Sequence, residues 1–280
     1  MANFLAPADL SKAFVGISEK KVSIPAAKML MLGILAGVFI GFAAHLATVI
    51  ATGSCDWIGA KKFLIGAVFS CGLMLVIIPG SELWTGNNLM VIGLLDRKIS
   101  LGGMMKNWGL VFLGNFIGSI FLAFIIAKSS GLLAEDFGAT AIKIASGKVN
   151  SGPFGDMSHN YAYFFRAVGC NWMVCLAVMM AVSAQDIAGK VLGIFFPIMA
   201  FVAAGFEHCI ANMYFIPAGI FAKNFPGAVE KSGVSAEALA NLNWTTMWTQ
   251  NLGVVTLGNL VGGAVFTGAV YWWLYVKKSD

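Results

Sequence analysis

Four ionisable side chains fall well inside the long apolar runs of this chain: His45, Glu82, Glu207 and His208. Three of them gather at two polar interruptions, Glu82-Leu83-Trp84-Thr85-Gly86-Asn87 and Gly205-Phe206-Glu207-His208-Cys209-Ile210-Ala211-Asn212. A charge at the centre of a bilayer costs about 2.5–3.5 kcal/mol on insertion scales, so such groups normally face a pathway or a partner. His208 could exchange a proton near neutral pH, and Thr85 and Asn212 add neutral hydrogen-bonding groups. The chemistry open to this set is binding and passage of a solute. Open helix N-termini present unpaired amides with partial positive charge, which favours a small anion. A purely structural role is the alternative: Glu82 and Glu207 capping amides of interrupted helices, and His208 bonding to a neighbour. His45 has no companion motif and reads as a satisfied core histidine.

Other chemistries lack their residues. The five cysteines (Cys55, Cys71, Cys170, Cys175, Cys209) form no Cys-x-x-Cys pair, and His45, His159 and His208 are scattered, so no metal site, disulfide or cofactor is expected. An intramembrane enzyme would need a nucleophile and base on facing helices, whereas Glu207 and His208 are chain neighbours.

The elements that must position these residues follow from composition. Of 280 residues, 59% are apolar and 11% are Asp, Glu, Lys or Arg, against about 25% charged in soluble domains. The net charge of +5 is clustered between apolar runs, which suits lipid headgroups and gives no sign of nucleic acid. Six runs are long enough to cross a bilayer: roughly 28 to 50, 63 to 95, 107 to 127, 166 to 183, 191 to 222 and 247 to 275. An all-α membrane protein with six transmembrane helices is predicted: a single channel domain over 28–280, preceded by an N-terminal segment, 1–27, whose residues 9–17 read as a short amphipathic helix on the membrane surface, a flexible tail being the other reading. The termini and even-numbered loops hold ten basic residues (Lys12, Lys20, Lys21, Lys28, Arg97, Lys98, Lys106, Lys190, Lys277, Lys278) of eighteen, which favours cytoplasmic termini.

An internal repeat organises the runs. Residues 107–118 match 251–262 at seven of twelve positions, including Asn107 with Asn251, Gly114 with Gly258 and Asn115 with Asn259. At an offset of 125, Glu82 and Asn87 correspond to Glu207 and Asn212. Each half, about 28–140 and 150–280, holds three crossings, so the second enters from the opposite side and the repeats are inverted, as in transporters with a midplane site. The second and fifth runs, 33 and 32 residues, are too long for one straight span. Pro79-Gly80-Ser81 with Thr85-Gly86-Asn87-Asn88 should break the second, and Gly205 with Glu207 to Asn212 the fifth. Phe69, Leu83, Trp84 and Phe201 lie near the breaks as candidate constrictions, packing being the other reading; Lys148, in the glycine-containing loop segment 145–150, could draw anions to a mouth or be merely solvated. Gly33-x-x-x-Gly37-x-x-x-Gly41 would allow close helix approach, within or between subunits. A neutral-solute channel of the aquaporin kind would carry Asn-Pro-Ala at both breaks, and that tripeptide is absent.

Together, 82–87, Gly169-Cys170-Asn171-Trp172-Met173-Val174-Cys175-Leu176-Ala177-Val178, Gly205 to Tyr214 and Gly258-Asn259-Leu260-Val261-Gly262-Gly263 resemble the formate/nitrite transporter family over nearly the whole chain. That resemblance implies an aquaporin-like protomer in a homopentamer of the cytoplasmic membrane, one pore per subunit. It implies passive or proton-coupled passage of formate, nitrite or hydrosulfide. It also implies a central Thr85–His208 pair supported by Glu207, Asn212, Asn171 and Asn259, with Lys148 near a mouth and a constriction of Phe69, Leu83, Trp84, Val174 and Phe201. Trp84 stands where another aromatic is common in the family, and 151–155 adds residues between Lys148 and Asn171.

Overall fold

The computed structural model describes residues 4–277, and among these the regular structure is helical, with no β-strand. Residues 1–3 of the expected N-terminal segment and Lys278 of the counted basic residues lie outside the described residues. In chain order the helices are α1 (Pro7–Ser23), α2 (Ala26–Thr52), α3 (Ile58–Phe69), α4 (Cys71–Ile77), α5 (Trp84–Asn87), α6 (Val91–Leu95), α7 (Leu101–Phe124) and α8 (Asp136–Val149). They continue as α9 (His159–Ser183), α10 (Ile187–Ala203), α11 (Cys209–Ala222), α12 (Pro226–Ser232), α13 (Ala236–Asn241), α14 (Trp244–Met247), α15 (Gly253–Leu260) and α16 (Val270–Tyr275). Wider π-helical turns at Trp248–Leu252 and Val261–Ala269 join α14, α15 and α16 into one continuous rod.

Five helical stretches are long and apolar enough to cross a membrane: Ala26–Thr52, Ile58–Ile77, Leu101–Ser129, His159–Ser183 and Trp244–Tyr275. Two shorter apolar helices, α10 and α11, accompany them. Polar caps set where several begin, because the first amides of a helix have no partner inside it. The side chains of Ser100, Ser158 and Asp186 accept from the backbone N–H of Gly103, Tyr161 and Gly189 at the starts of α7, α9 and α10.

Helix α2 packs along α7 so closely that a Cβ on Gly37 or Gly118 would overlap the backbone at Asn115 or Ile34. The glycine stripe of α2 is therefore an intrachain contact. Its repeat mate is the packing of α15 and the following π-turns on α9, where Gly258 and Gly262 sit against the carbonyls of Phe164 and Val168.

Two non-helical segments carry the buried glutamates and the histidine. After α4 ends at Ile77, residues 78–83 turn out of helix through Gly80 at φ +95°, and after α10 ends at Ala203, residues 204–208 do so through Gly205 at φ +78°. Both glycines occupy backbone conformations that a side chain would strain. The interruptions are shorter than the sequence predicts: Thr85-Gly86-Asn87 lies inside α5 and Cys209–Asn212 inside α11, because asparagine caps, described below, restart the helix at once.

Helix α1 is longer than the 9–17 stretch and its apolar face is covered by protein. Leu10 and Phe14 are buried with Leu89, Ile92, Cys175 and Met179, which anchors α1 across the end of the bundle and leaves Lys21 pointing at the first interruption.

Candidate solute pathway

Glu207 is buried at the second interruption and carries a full set of partners. Lys148 donates to both of its carboxylate oxygens at 3.0 and 2.8 Å, and the Asn212 amide donates to Oε2 at 2.7 Å. The same Asn212 nitrogen donates to Asn251 Oδ1 at 2.7 Å, and Asn251 in turn reaches the Lys148 carbonyl at 3.2 Å. A buried carboxylate is tolerable only with such pairing.

The first interruption repeats this network residue for residue. Lys21 donates to Glu82 Oε1 at 2.5 Å, Asn87 to Glu82 Oε2 at 2.7 Å and to Asn107 Oδ1 at 2.8 Å, and Asn107 to the Lys21 carbonyl at 3.4 Å. Lys21 and Lys148 thus play one part from unrelated elements, the end of α1 and the end of α8.

A third pair of asparagines splices each interruption to its neighbours. Asn115 accepts from the Trp84 N–H at 2.9 Å and donates to the carbonyls of Glu82 and Gly33 at 2.9 and 2.8 Å. Asn259 accepts from the Cys209 N–H at 2.8 Å and donates to the carbonyls of Glu207 and Ala167 at 2.9 and 2.8 Å. Each amide satisfies two backbone groups at the interruption and ties them to a carbonyl of a neighbouring helix, α2 or α9. The alternative reading, Glu82 and Glu207 capping helix amides, is not what is seen: lysine and asparagine occupy their carboxylates, and Asn115 and Asn259 do the capping. The expected row of open amides is shortened accordingly, since the first N–H of both α5 and α11 is taken.

Where the two interruptions meet, Thr85 Oγ1 lies 3.1 Å from His208 Nε2. His208 is the N-cap of α11, its Nδ1 accepting from the Ala211 N–H at 3.1 Å. Asn171 ties the halves together by donating to Asn88 Oδ1 at 2.9 Å and to the Asn259 carbonyl at 2.7 Å, with the Thr85 carbonyl at 3.2 Å. Gly263 makes room for it, as a Cβ there would strike the Asn171 amide. Thr85, Asn171 and Asn259 are wholly buried and His208 nearly so.

Cavities flank this point. One of about 370 Å³ is walled by Lys148, Glu207, His208, Asn212, Phe69 and Phe201 among others. Another, of about 210 Å³, is walled by Lys21, Asn87, Leu73, Leu83 and the α1 residues Phe14 and Ser18 among others. Between them lies a chamber of about 10 Å³, lined by Leu73 and Leu83 shared with one cavity, Phe69, Phe201 and His208 shared with the other, and Ile40, Val174 and Ile198. A single water needs about 10–15 Å³, so the middle is apolar and nearly closed.

Of the residues singled out in the sequence, Phe69, Leu83, Val174 and Phe201 therefore surround the chamber with His208, whereas Trp84 does not line it. Its ring packs edge-on against Trp108 and Phe112, 6.3 and 5.4 Å between centroids. Lys148 stands on the last turn of α8 rather than in a loop, because the segment 136–149 folds back as a helix. His45 is not a satisfied core histidine: its Nδ1 is buried with no hydrogen-bond partner among the described residues. Lys21, Asn107, Asn115 and Asn251 belong to the site and carried no role in the sequence reading. The repeat held the signal for the asparagines, since Asn115 and Asn107 align with Asn259 and Asn251. Lys21 had no such signal beyond its charge.

Fold and site define a multi-pass membrane protein built for transport rather than an enzyme. Residues 8–273 match the family described as formate/nitrite transporter, and the chain belongs to that family. It is 42% identical over 289 residues to a protein named "Probable formate transporter" from Methanothermobacter thermautotrophicus, covering 99% of both chains. Among solved structures it is similar to a pentameric formate channel with formate bound, at a TM-score of 0.77 and 37% identity over 90% of this chain and 98% of that one. It is also similar to an FNT family ion channel, at a TM-score of 0.80 and 28% identity over 95% of this chain and 98% of that one.

Proposed function

We propose that the chain carries a small monovalent anion, formate first, through a pore in each protomer of a homopentamer in the cytoplasmic membrane, passively or with a proton. On this reading α2, α7, α9 and the α14–α16 rod are four crossings, and α3–α6 and α10–α11 are the interrupted second and fifth. Residues 28–280 form one channel domain of two inverted halves, about 28–140 and 150–280, aquaporin-like, with residues 1–27 and both termini cytoplasmic.

The observation that carries the reading is the contact of Thr85 with His208 at 3.1 Å beside a nearly closed apolar chamber, with a lysine–glutamate–asparagine network on either side. An anion arriving in either cavity meets a lysine ammonium. To pass Leu83, Phe69, Val174 and Phe201 it must shed water, and a bare charge in an apolar space is costly. His208 meets it there. Because Nδ1 accepts the Ala211 N–H, it holds no proton, and the proton sits on Nε2, which donates to Thr85. This neutral tautomer is a hydrogen-bond donor that can swing from Thr85 to the anion. It is a poor acid, since giving up its proton would leave an imidazolate, so any proton that accompanies the anion comes through solvent in the cavities.

The test is uptake of formate, nitrite and hydrosulfide by liposomes containing the purified protein. Saturable uptake with formate fastest is expected. Faster nitrite or hydrosulfide would reassign the substrate, and no uptake of any of the three would overturn the reading.

A further inference from the structure

The two cavities that flank His208 and Leu83 are electrostatically unequal. In the smaller one the lining cation is Lys21, and its charge is matched by Glu82 at 2.5 Å. In the larger one Lys148 is matched by Glu207 at 2.8 Å, yet a second lysine, Lys62 of α3, lines the same wall. Among the described residues Lys62 makes no ion pair, and its ammonium donates no hydrogen bond. It stands over the second interruption: a Cβ built on Gly205 would lie 3.8 Å from its Nζ. Glycine at that position is required by the backbone turn at φ +78°. The repeat does not supply a counterpart, since nothing lies within 4 Å of a Cβ built on Gly80.

We infer that Lys62 supplies the uncompensated positive charge that concentrates anions in the Lys148-side cavity, so that the two mouths of the pathway differ in apparent affinity. The inference rests on the transport reading above. Lys148, neutralised by Glu207, keeps its hydrogen-bonding role but contributes little net field at the mouth. A free charge in a cleft with low-dielectric walls raises the local concentration of counter-ions and does so less as salt is added. Lys62 therefore acts on capture of the anion and leaves the passage past His208 unchanged.

The experiment compares wild type, Lys62→Gln and Lys62→Arg in right-side-out and inverted membrane vesicles, with formate uptake normalised to the amount of folded oligomer, at about 10 mM and about 300 mM ionic strength, where screening is weak and strong. For Lys62→Gln we expect the half-saturating formate concentration to rise about threefold at low ionic strength from the face bearing Lys148 alone, with the maximal rate from that face rising in the same proportion, since the central barrier is untouched, and the difference gone at high ionic strength. Lys62→Arg, which keeps the charge, should follow wild type. Wild-type half-saturation in Lys62→Gln, an equal rise from both faces, or the same shift in Lys62→Arg would overturn the inference while leaving transport intact. Absence of uptake by the wild type would overturn the transport reading, and this inference with it.

Discussion

Leu83 and His208 hold the same position in the two halves of the chain. They are 125 residues apart, and each is the last non-helical residue before a short helix. Their backbone angles nearly coincide, φ −107°, ψ 123° and φ −113°, ψ 116°. Both line the small central chamber. The histidine side chain caps its own helix, whereas the leucine side chain cannot, and at α5 Asn115 alone takes the first N–H. A duplicated scaffold thus presents an apolar wall on one side of the chamber and a hydrogen-bonding group on the other, with Thr85 facing it.

From this asymmetry the imidazole should be needed for passage while its leucine counterpart is not. Replacing His208 with Phe removes a donor whose hydrogen bond to an anion is worth about 1.5–3 kcal/mol, so formate uptake should fall about ten- to a hundredfold. The lost N-cap costs only about 1 kcal/mol, so the protein should still fold. Liposome uptake across a pH series reads this, and an unchanged rate and pH profile would remove His208 from the pathway.

Asn115 and Asn259 should matter for folding more than for flux. Each satisfies three buried backbone groups, and an unsatisfied buried group costs about 1–3 kcal/mol. Asn115→Leu and Asn259→Leu should each lower the thermal unfolding temperature in detergent by far more than Asn243→Ala, which removes a half-exposed cap from α14 worth about 1 kcal/mol.

The Lys148–Glu207 pair should show strong coupling. Its side chains are 15% and 8% exposed, and stranding one member of a buried pair costs about 3–5 kcal/mol, less what residual solvent recovers. Lys148→Met and Glu207→Gln should each destabilise, and the double variant should regain much of the loss in a thermal-melt cycle. Lys231→Ala, which breaks contacts whose side chains are about half exposed or more, should leave the melt unchanged.

Gly37 and Gly118 should tolerate no side chain. A Cβ at either would overlap the backbone of the facing helix, and contacts between membrane helices depend on such close approach. Gly118→Leu should abolish recovery of folded protein on size-exclusion chromatography, while Gly109→Leu, with open space around it, should elute as wild type.

Selectivity by size should respond to Phe201 and not to Trp84. Phe201 walls the chamber, whereas Trp84 packs against Trp108 and Phe112 away from it. Phe201→Leu should admit acetate at an increased rate relative to formate, and Trp84→Phe should leave that ratio unchanged, as measured by competitive uptake.

Much of this was legible from local pattern. Apolar runs mark spans because each turn of helix in lipid must be apolar on its own account. Gly80 and Gly205 mark the turns because only glycine enters those angles freely, and the offset between 107–118 and 251–262 exposes the duplication. The positions of Thr85, Glu207 and His208 could be ranked because a polar side chain within a long apolar run is anomalous wherever it ends up pointing.

Which partner each group takes was decided by tertiary structure. Lys21 and Glu82 are 61 residues apart and meet because α1 packs across the bundle. Trp84, beside Leu83 in the chain, turns the other way, and Lys148 became helical because 136–149 folds back against α11. Hydropathy and turn propensity belong to a residue and its near neighbours. A hydrogen-bond partner, an ion pair or a cavity wall belongs to two segments brought together, and no periodicity within either segment carries the direction in which its side chains will find the other.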